Sequence, residues 1–99
     1  MTIKQSKRKA TKFELPAEVI QLQRLINSGE IWKFEGSAGR AAMFEIRVGN
    51  NMCASTPCRD YWGNLVPSRD MVKPGTQGSR GRVVEANGED YAAALEAVP

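Results

Sequence analysis

The chain has 99 residues, of which 41% are hydrophobic and 25% are charged, and its formal net charge at pH 7 is +3. A chain of this length forms one domain with a modest core, which leaves little room for a deep active site. It contains no histidine, so the commonest general base and the commonest metal ligand are both missing. The sequence has neither a run of about 18 apolar residues nor a recognisable signal peptide, so we expect no membrane contact and a cytoplasmic location.

The net charge is unevenly distributed along the chain. The first twelve residues hold five basic side chains, whereas the rest has nine basic and eleven acidic residues and a net charge of −2. We expect residues 1–12 to be a disordered basic arm and residues 13–99 to form one globular domain. The arm either binds nucleic acid or an acidic partner through its charge, or only improves solubility. Its basic residues are Lys4, Lys7, Arg8, Lys9 and Lys12.

Residues 16–28 show the clearest helical pattern. Apolar side chains recur at helical spacing, Pro16 suits the first turn, and Gly29 suits the end of a helix. Polar residues, Gln23 among them, are predicted to take the opposite face. The next segment, residues 30–34, is predicted to be extended, with its two aromatic side chains packed on this helix.

Residues 37–48 allow two interpretations. As a helix, the segment starts at Ser37 as N-cap, ends at Gly49, and places Met43 on its buried face. The opposite face would then carry Arg40, Phe44 and Arg47. As a strand, its second half alternates apolar with charged residues, and a hairpin across residues 36–40 becomes possible. We favour the helix, because two alanines and a methionine make a poor start for a strand.

Two cysteines, Cys53 and Cys58, lie beyond this segment. A structural zinc site needs four ligands, so two thiolates do not complete one, and a reducing cytoplasm disfavours a disulfide. We expect Cys53 to be a small buried residue and Cys58 a loop thiol. The sequence predicts no metal and no cofactor.

Residues 55–82 have no regular periodicity and are rich in glycine, proline and arginine. A loop of this length in a small domain is often functional. Residues 61–64 are predicted to form a turn, and a last helix is predicted to begin at Asn87 or Gly88. The predicted fold is a small single-domain α+β fold, mostly helical, with a long irregular Gly/Pro/Arg-rich loop and room for a short hairpin.

Aromatic residues alternate with arginines in this loop, and three interpretations remain open. Such residues stack on bases and bind phosphates, they dominate protein–protein contacts, or they fold down to cover the core. The candidate partner-binding residues are Arg40, Arg47, Arg59, Tyr61, Trp62, Arg69, Lys73, Arg80 and Arg82.

Three stretches resemble small phage- and prophage-encoded proteins for which no activity is established. They are Trp32–Met43, Asp60–Asp70 and Pro74–Ser79, within about residues 20–82. The resemblance implies an accessory protein that binds a host component. An inhibitor of a bacterial defence system, of the anti-CRISPR or anti-restriction kind, would be one example.

An enzyme is the least supported class, because no nucleophile and base, no paired carboxylates and no metal-ligand set can be recognised. The first hypothesis is a non-enzymatic binding module that acts on a host protein or nucleoprotein complex in the bacterial cytoplasm. The alternative is a nucleic-acid-binding protein that uses the basic arm and the arginine-rich loop. A third hypothesis is a small anionic ligand bound at residues 36–40, where helix N–H groups and Arg40 would face it.

Overall fold

A computed structural model describes residues 14–34 and 36–99, so the predicted basic arm lies outside the described residues. This part of the chain contains four α-helices, one short 3-10 helix and a two-stranded antiparallel sheet, which make a small, mostly helical α+β fold. None of its helices combines the length and the apolar character that crossing a membrane requires. In chain order the elements are α1 (Ala17–Ser28), the 3-10 helix (Glu30–Lys33), α2 (Ser37–Val48), β1 (Cys58–Arg59), β2 (Leu65–Val66), α3 (Arg80–Asn87) and α4 (Glu89–Glu96).

Helix α1 lies between two hydrophobic clusters. Leu22 and Ile26 contact the first cluster, and Val19, nearer the start of the helix, packs on the second. The helix ends at Gly29, whose φ of 83° is the left-handed conformation that glycine adopts at low cost. The prediction of a core helix over residues 16–28 is confirmed, although the segment that follows is a 3-10 turn and not an extended strand.

The prediction that Gln23 faces solvent is wrong, because its side chain is fully buried. Its Oε1 accepts from the backbone N–H of Met52 at 3.1 Å, and its Nε2 donates to the Met52 carbonyl at 2.9 Å. Met52 lies in a buried segment without regular secondary structure, which pairs with no strand in the described residues. The Gln23 amide therefore supplies both hydrogen bonds that a partner strand would otherwise give.

Helix α2 forms where the sequence allowed a helix or a strand. Its buried residues are Ala42 and Ile46, and this narrow stripe lets α2 pack against the 3-10 helix of the first cluster. Gly49 ends the helix as predicted, but Ser37 is not the N-cap: Gly36 precedes the helix, and no side chain caps it. The hairpin considered across residues 36–40 does not form, because residues 37–40 make up the first turn of α2.

The loop after α2 is shorter than predicted, because helix α3 begins at Arg80. Ser79 caps α3, and its Oγ accepts from the Arg82 N–H at 3.1 Å. The last helix starts at Glu89, close to the predicted position. Gly88 separates the two helices, and they pack on Met52 to form the second cluster.

Side chains of α3 and α4 bind the C-terminal end of α2. Arg82 Nε donates to the Arg47 carbonyl at 3.1 Å, Asn87 Nδ2 to the Gly49 carbonyl at 3.0 Å, and the Tyr91 hydroxyl to the Asn50 carbonyl at 2.8 Å. The Arg47 carbonyl is in the last turn of α2, where carbonyls lack intrahelical partners, and those of Gly49 and Asn50 directly follow the helix. These bonds therefore satisfy groups that would otherwise need water. They fix α2 with one face inward and leave its opposite face exposed.

Candidate partner-binding groove

A concave surface of about 400 Å³ lies between the first half of α2, the 3-10 helix and the turn that joins β1 to β2. We call it the α2–turn groove. Trp32 forms its floor and connects it to the first hydrophobic cluster. The residues around this floor are Phe34, Gly36, Gly39, Arg40, Met43, Asp60, Trp62, Leu65, Val66 and Pro67.

Four large apolar side chains of the groove are unusually exposed. The exposed fraction is 50% for Phe34, 40% for Met43, 67% for Trp62 and 49% for Leu65. Isolated exposed apolar residues are common on proteins, but several around one concavity are typical of a binding surface. The groove is therefore the strongest candidate site among the described residues.

The turn between β1 and β2 holds Trp62 out of the core. Asp60 Oδ1 accepts from the backbone N–H groups of Trp62 and Asn64 at 2.9 and 2.8 Å. The Asp60 N–H also donates to the Asn64 carbonyl at 2.9 Å, and Gly63 supplies a φ of 83°. These contacts fix a tight loop whose tip points away from the hydrophobic clusters. The predicted turn at residues 61–64 is confirmed.

The turn is also attached to the rest of the protein. The Tyr61 N–H donates to the Trp32 carbonyl at 2.7 Å, and the sheet pairs Cys58 with Val66 and Arg59 with Leu65. The rings of Tyr61 and Trp62 meet edge to face, with centroids 5.0 Å apart. Both rings are largely exposed, so they present a fixed aromatic surface at low entropic cost.

Three of the predicted partner-binding arginines lie in α2 or in β1. Arg40 lines the groove, Arg47 lies over the Phe44 ring at 5.2 Å, and Arg59 donates to the Gly63 carbonyl at 3.3 Å. Within residues 14–34 and 36–99, no carboxylate forms an ion pair with any of the three. Their positive charges remain available to a partner.

Three other predicted partner-binding residues make contacts within the fold. Arg69 Nε donates to the Cys53 carbonyl at 2.8 Å, and burial lowers the pKa of its guanidinium, although nearby carboxylates oppose this. Arg80 pairs with Glu89 and Glu96 at 2.6 and 3.0 Å, and Arg82 binds the end of α2. Lys73 is exposed in a turn outside the groove. That these residues bind a partner remains a prediction.

Sequence reasoning missed the apolar part of the groove. Phe34 and Met43 were expected in the core and Leu65 was not singled out, whereas the exposure of Phe44 agrees with its predicted place beside Arg40 and Arg47. One signal was available: Arg40, Met43, Phe44 and Arg47 recur at i, i+3, i+4 and i+7, and all four are exposed on one face of α2. The burial of the opposite face by Ala42 and Ile46 is what leaves this stripe outside.

The described residues contain no group of three or more His, Cys, Asp or Glu side chains arranged to hold a metal ion. Both cysteines are free; Cys53 is buried as predicted and Cys58 is partly exposed. Burial raises the pKa of both thiols, so they stay protonated near neutral pH and are weak nucleophiles.

Comparison of the chain with protein-family models, with curated proteins and with solved structures gave no match.

Proposed function

We propose that this chain is a non-enzymatic protein-binding module and that the α2–turn groove is its contact surface. The observation that carries the proposal is the exposure of Phe34, Met43, Trp62 and Leu65 around one concavity whose walls are fixed by hydrogen bonds. A preorganised apolar surface loses little conformational entropy when a partner covers it. The resemblance to phage proteins suggests a bacterial host protein as partner, such as a component of a defence system.

Trp62 should contribute most to such a contact. With 67% of its surface exposed, burying the ring removes on the order of 170 Å² from water, about 4 kcal/mol at about 25 cal/mol per Å². This is the range of a dominant interface residue. Because the exposed ring makes few contacts in the fold, Trp62→Ala should weaken partner binding without unfolding the protein.

A pull-down from bacterial lysate, with and without nuclease, tests the proposal. The wild-type protein is compared with Trp62→Ala and Met43→Gln as groove variants, and with Met71→Gln as the matched control. Met71 has an exposed fraction of 53%, similar to the 40% of Met43, but lies outside the groove. Glutamine has a similar length and helix propensity to methionine, so the two substitutions differ mainly in position.

The expected result is a host protein that the wild type and Met71→Gln retain after nuclease and that both groove variants lose. This protein is then purified, and its affinity for the four chains is measured by titration calorimetry. A partner set that does not distinguish groove variants from the control would refute the groove as contact surface.

Nucleic-acid binding is the second candidate function. The exposed Tyr61 and Trp62 rings beside Arg59 favour it, because aromatic rings and guanidinium groups together bind single strands. The aliphatic side chains of the groove, Leu65 and Met43, provide neither stacking surfaces nor charge for a nucleic acid, which makes this function the second candidate. Nucleic-acid binding predicts retention that nuclease abolishes and an affinity for a labelled oligonucleotide that falls steeply with salt. Binding without salt dependence would exclude it.

A further inference from the structure

We infer that the occupant of the α2–turn groove is an acidic amphipathic helix, one with carboxylates on either side of an apolar pair. This inference rests on the proposed function and names the chemistry of the partner. It comes from the stripe on α2, in which Arg40 and Arg47 flank Met43 and Phe44. Arg40 and Met43 line the groove, and Phe44 and Arg47 continue the same exposed face of α2 outside it.

The described lining of the groove carries one positive charge, on Arg40, and one negative charge, on Asp60, so the excess of positive charge comes from residues outside the lining. Arg40 lines the groove without an ion pair to any carboxylate of the described residues, and Lys33 is exposed at the end of the 3-10 helix that forms the floor. Asp60 is the one acidic residue of the described lining, and its Oδ1 is already hydrogen-bonded to two backbone N–H groups. A partner with carboxylates would therefore find free cations opposite them.

The one acidic residue of α2, Glu45, faces away from this stripe. Glu45 Oε1 accepts from Asn50 Nδ2 at 2.8 Å, and Glu45 lines a separate cleft together with Glu18. Charges on α2 are thus segregated, with arginines on the exposed stripe and the glutamate toward α1. This segregation gives the stripe a single sign of charge, which selects partners by electrostatic complementarity.

The spacing of the stripe favours a helix as the occupant. Arg40 and Arg47 are seven residues apart, which is about 10.5 Å along the axis of an α-helix. A partner helix matches this spacing with acidic residues at i and i+7 and apolar residues at i+3 and i+4, all on one face. An extended strand covers about 10 Å in three residues, which places the two acidic side chains on opposite faces.

A second copy of this chain does not meet this description. Its most acidic helix is α4, but Arg80 already pairs with Glu89 and Glu96 of that helix. The apolar residues of α4, Tyr91 and Leu95, are buried in the second cluster. The stripe therefore matches a different polypeptide better than it matches a second copy of this chain.

The test is a selection from a yeast-displayed library of random peptides of about 16 residues, roughly four helical turns. The full-length chain is the bait, and Met43→Gln, Arg40→Glu and Arg24→Glu are run in parallel. Arg24 is an exposed arginine of α1 outside the groove, so Arg24→Glu makes the same change in net charge elsewhere.

We expect peptides enriched by the wild type and by Arg24→Glu to carry acidic residues seven positions apart around an apolar pair. Met43→Gln should lose them, and Arg40→Glu should enrich basic residues at the corresponding position. In an enriched peptide, each Glu→Gln change should weaken binding about fivefold at low salt. That loss should shrink when the Debye length falls from about 10 Å at 0.1 M to about 3 Å at 1 M.

Three results would overturn the inference, and they separate it from the proposed function. Groove-dependent peptides without acidic enrichment, or unaffected by Arg40→Glu, refute the acidic helix but leave the groove as a docking surface. Peptides that bind Met43→Gln as well as they bind the wild type refute both the acidic helix and the groove. A dimer in light scattering that Met43→Gln dissociates would identify a second copy as the occupant.

Discussion

Among the polar side chains of the described residues, we expect the replacement of Gln23 to lower the stability of the fold most. It is fully buried, and its amide makes the only hydrogen bonds that the described residues offer to the N–H and C=O of Met52. Gln23→Met keeps the length and the helix propensity of the side chain while removing both bonds to Met52. It also removes the bonds of Gln23 to Asn51 Nδ2 and Asn27 Oδ1, but these two groups keep bonds to the Val19 carbonyl and to Arg69. The matched control is Gln21→Met, an exposed glutamine on the same helix.

The expected loss of stability follows from the buried polar groups that no longer have a hydrogen-bond partner. Each unsatisfied buried polar group costs about 2 kcal/mol, so the two Met52 groups together cost about 4 kcal/mol. The apolar side chain of the new methionine returns about 1–2 kcal/mol. The free energy of unfolding should therefore fall by about 2–3 kcal/mol, which lowers the thermal midpoint by roughly 10–20 °C in a domain of this size.

Urea denaturation followed by circular dichroism at 222 nm measures this loss. The midpoint should shift for Gln23→Met with an unchanged slope, because the surface exposed on unfolding stays the same. Gln21→Met should unfold like the wild type within about 0.5 kcal/mol. Equal stability of the two variants would refute the role assigned to the Gln23 amide.

Three further predictions concern packing, pH and thiol reactivity. Gly78→Ala should destabilise the fold by about 1–3 kcal/mol more than Gly75→Ala: both glycines have positive φ, but only at Gly78 would a Cβ lie 2.7 Å from Cys53 Sγ, with open space at Gly75. Urea midpoints that match would disprove this clash. The hydrogen bond from Arg80 lowers the pKa of the Glu89 carboxyl, so its contribution to stability is present above the ordinary pKa of about 4.3 and is lost as pH falls through the lower folded value. The thermal midpoint of Glu89→Gln should therefore depend less on pH below about 5 than that of Asp90→Asn, and parallel profiles would contradict the pairing. A disulfide reagent should label the partly exposed Cys58 before the buried Cys53 in the folded protein, and the reverse order by mass spectrometry would show that Cys53 is accessible.

Local signals in the sequence were sufficient to predict the elements that end at glycine or contain typical turn residues. Gly29 and Gly49 end α1 and α2 in the left-handed conformation, and the turn at residues 61–64 has its Asp and Gly where the structure needs them. These features depend on backbone preferences within a few residues, so the sequence alone predicts them. The same holds for the periodic face of α1.

Only the tertiary structure decided which side chains of similar chemistry lie inside. Trp32 is the floor of the groove and Trp62 its exposed wall, although both occur among apolar and charged neighbours. Helix α3 shows little apolar periodicity, and contacts with the end of α2 through Arg82 and Asn87 hold it in place. Local preferences are worth tenths of a kcal/mol per residue, so packing between distant segments overrides them.

The sequence by itself therefore determined the size and class of the fold, the ends of two helices and the site of one turn. The exposed stripe on α2 and the buried amide of Gln23 depend on partners that the chain brings together only on folding. Met52, which satisfies that amide, is 29 residues away, and a hydrogen bond over such a separation leaves no local trace in the sequence. The groove has the same origin, because its walls come from segments that become neighbours only in the folded protein.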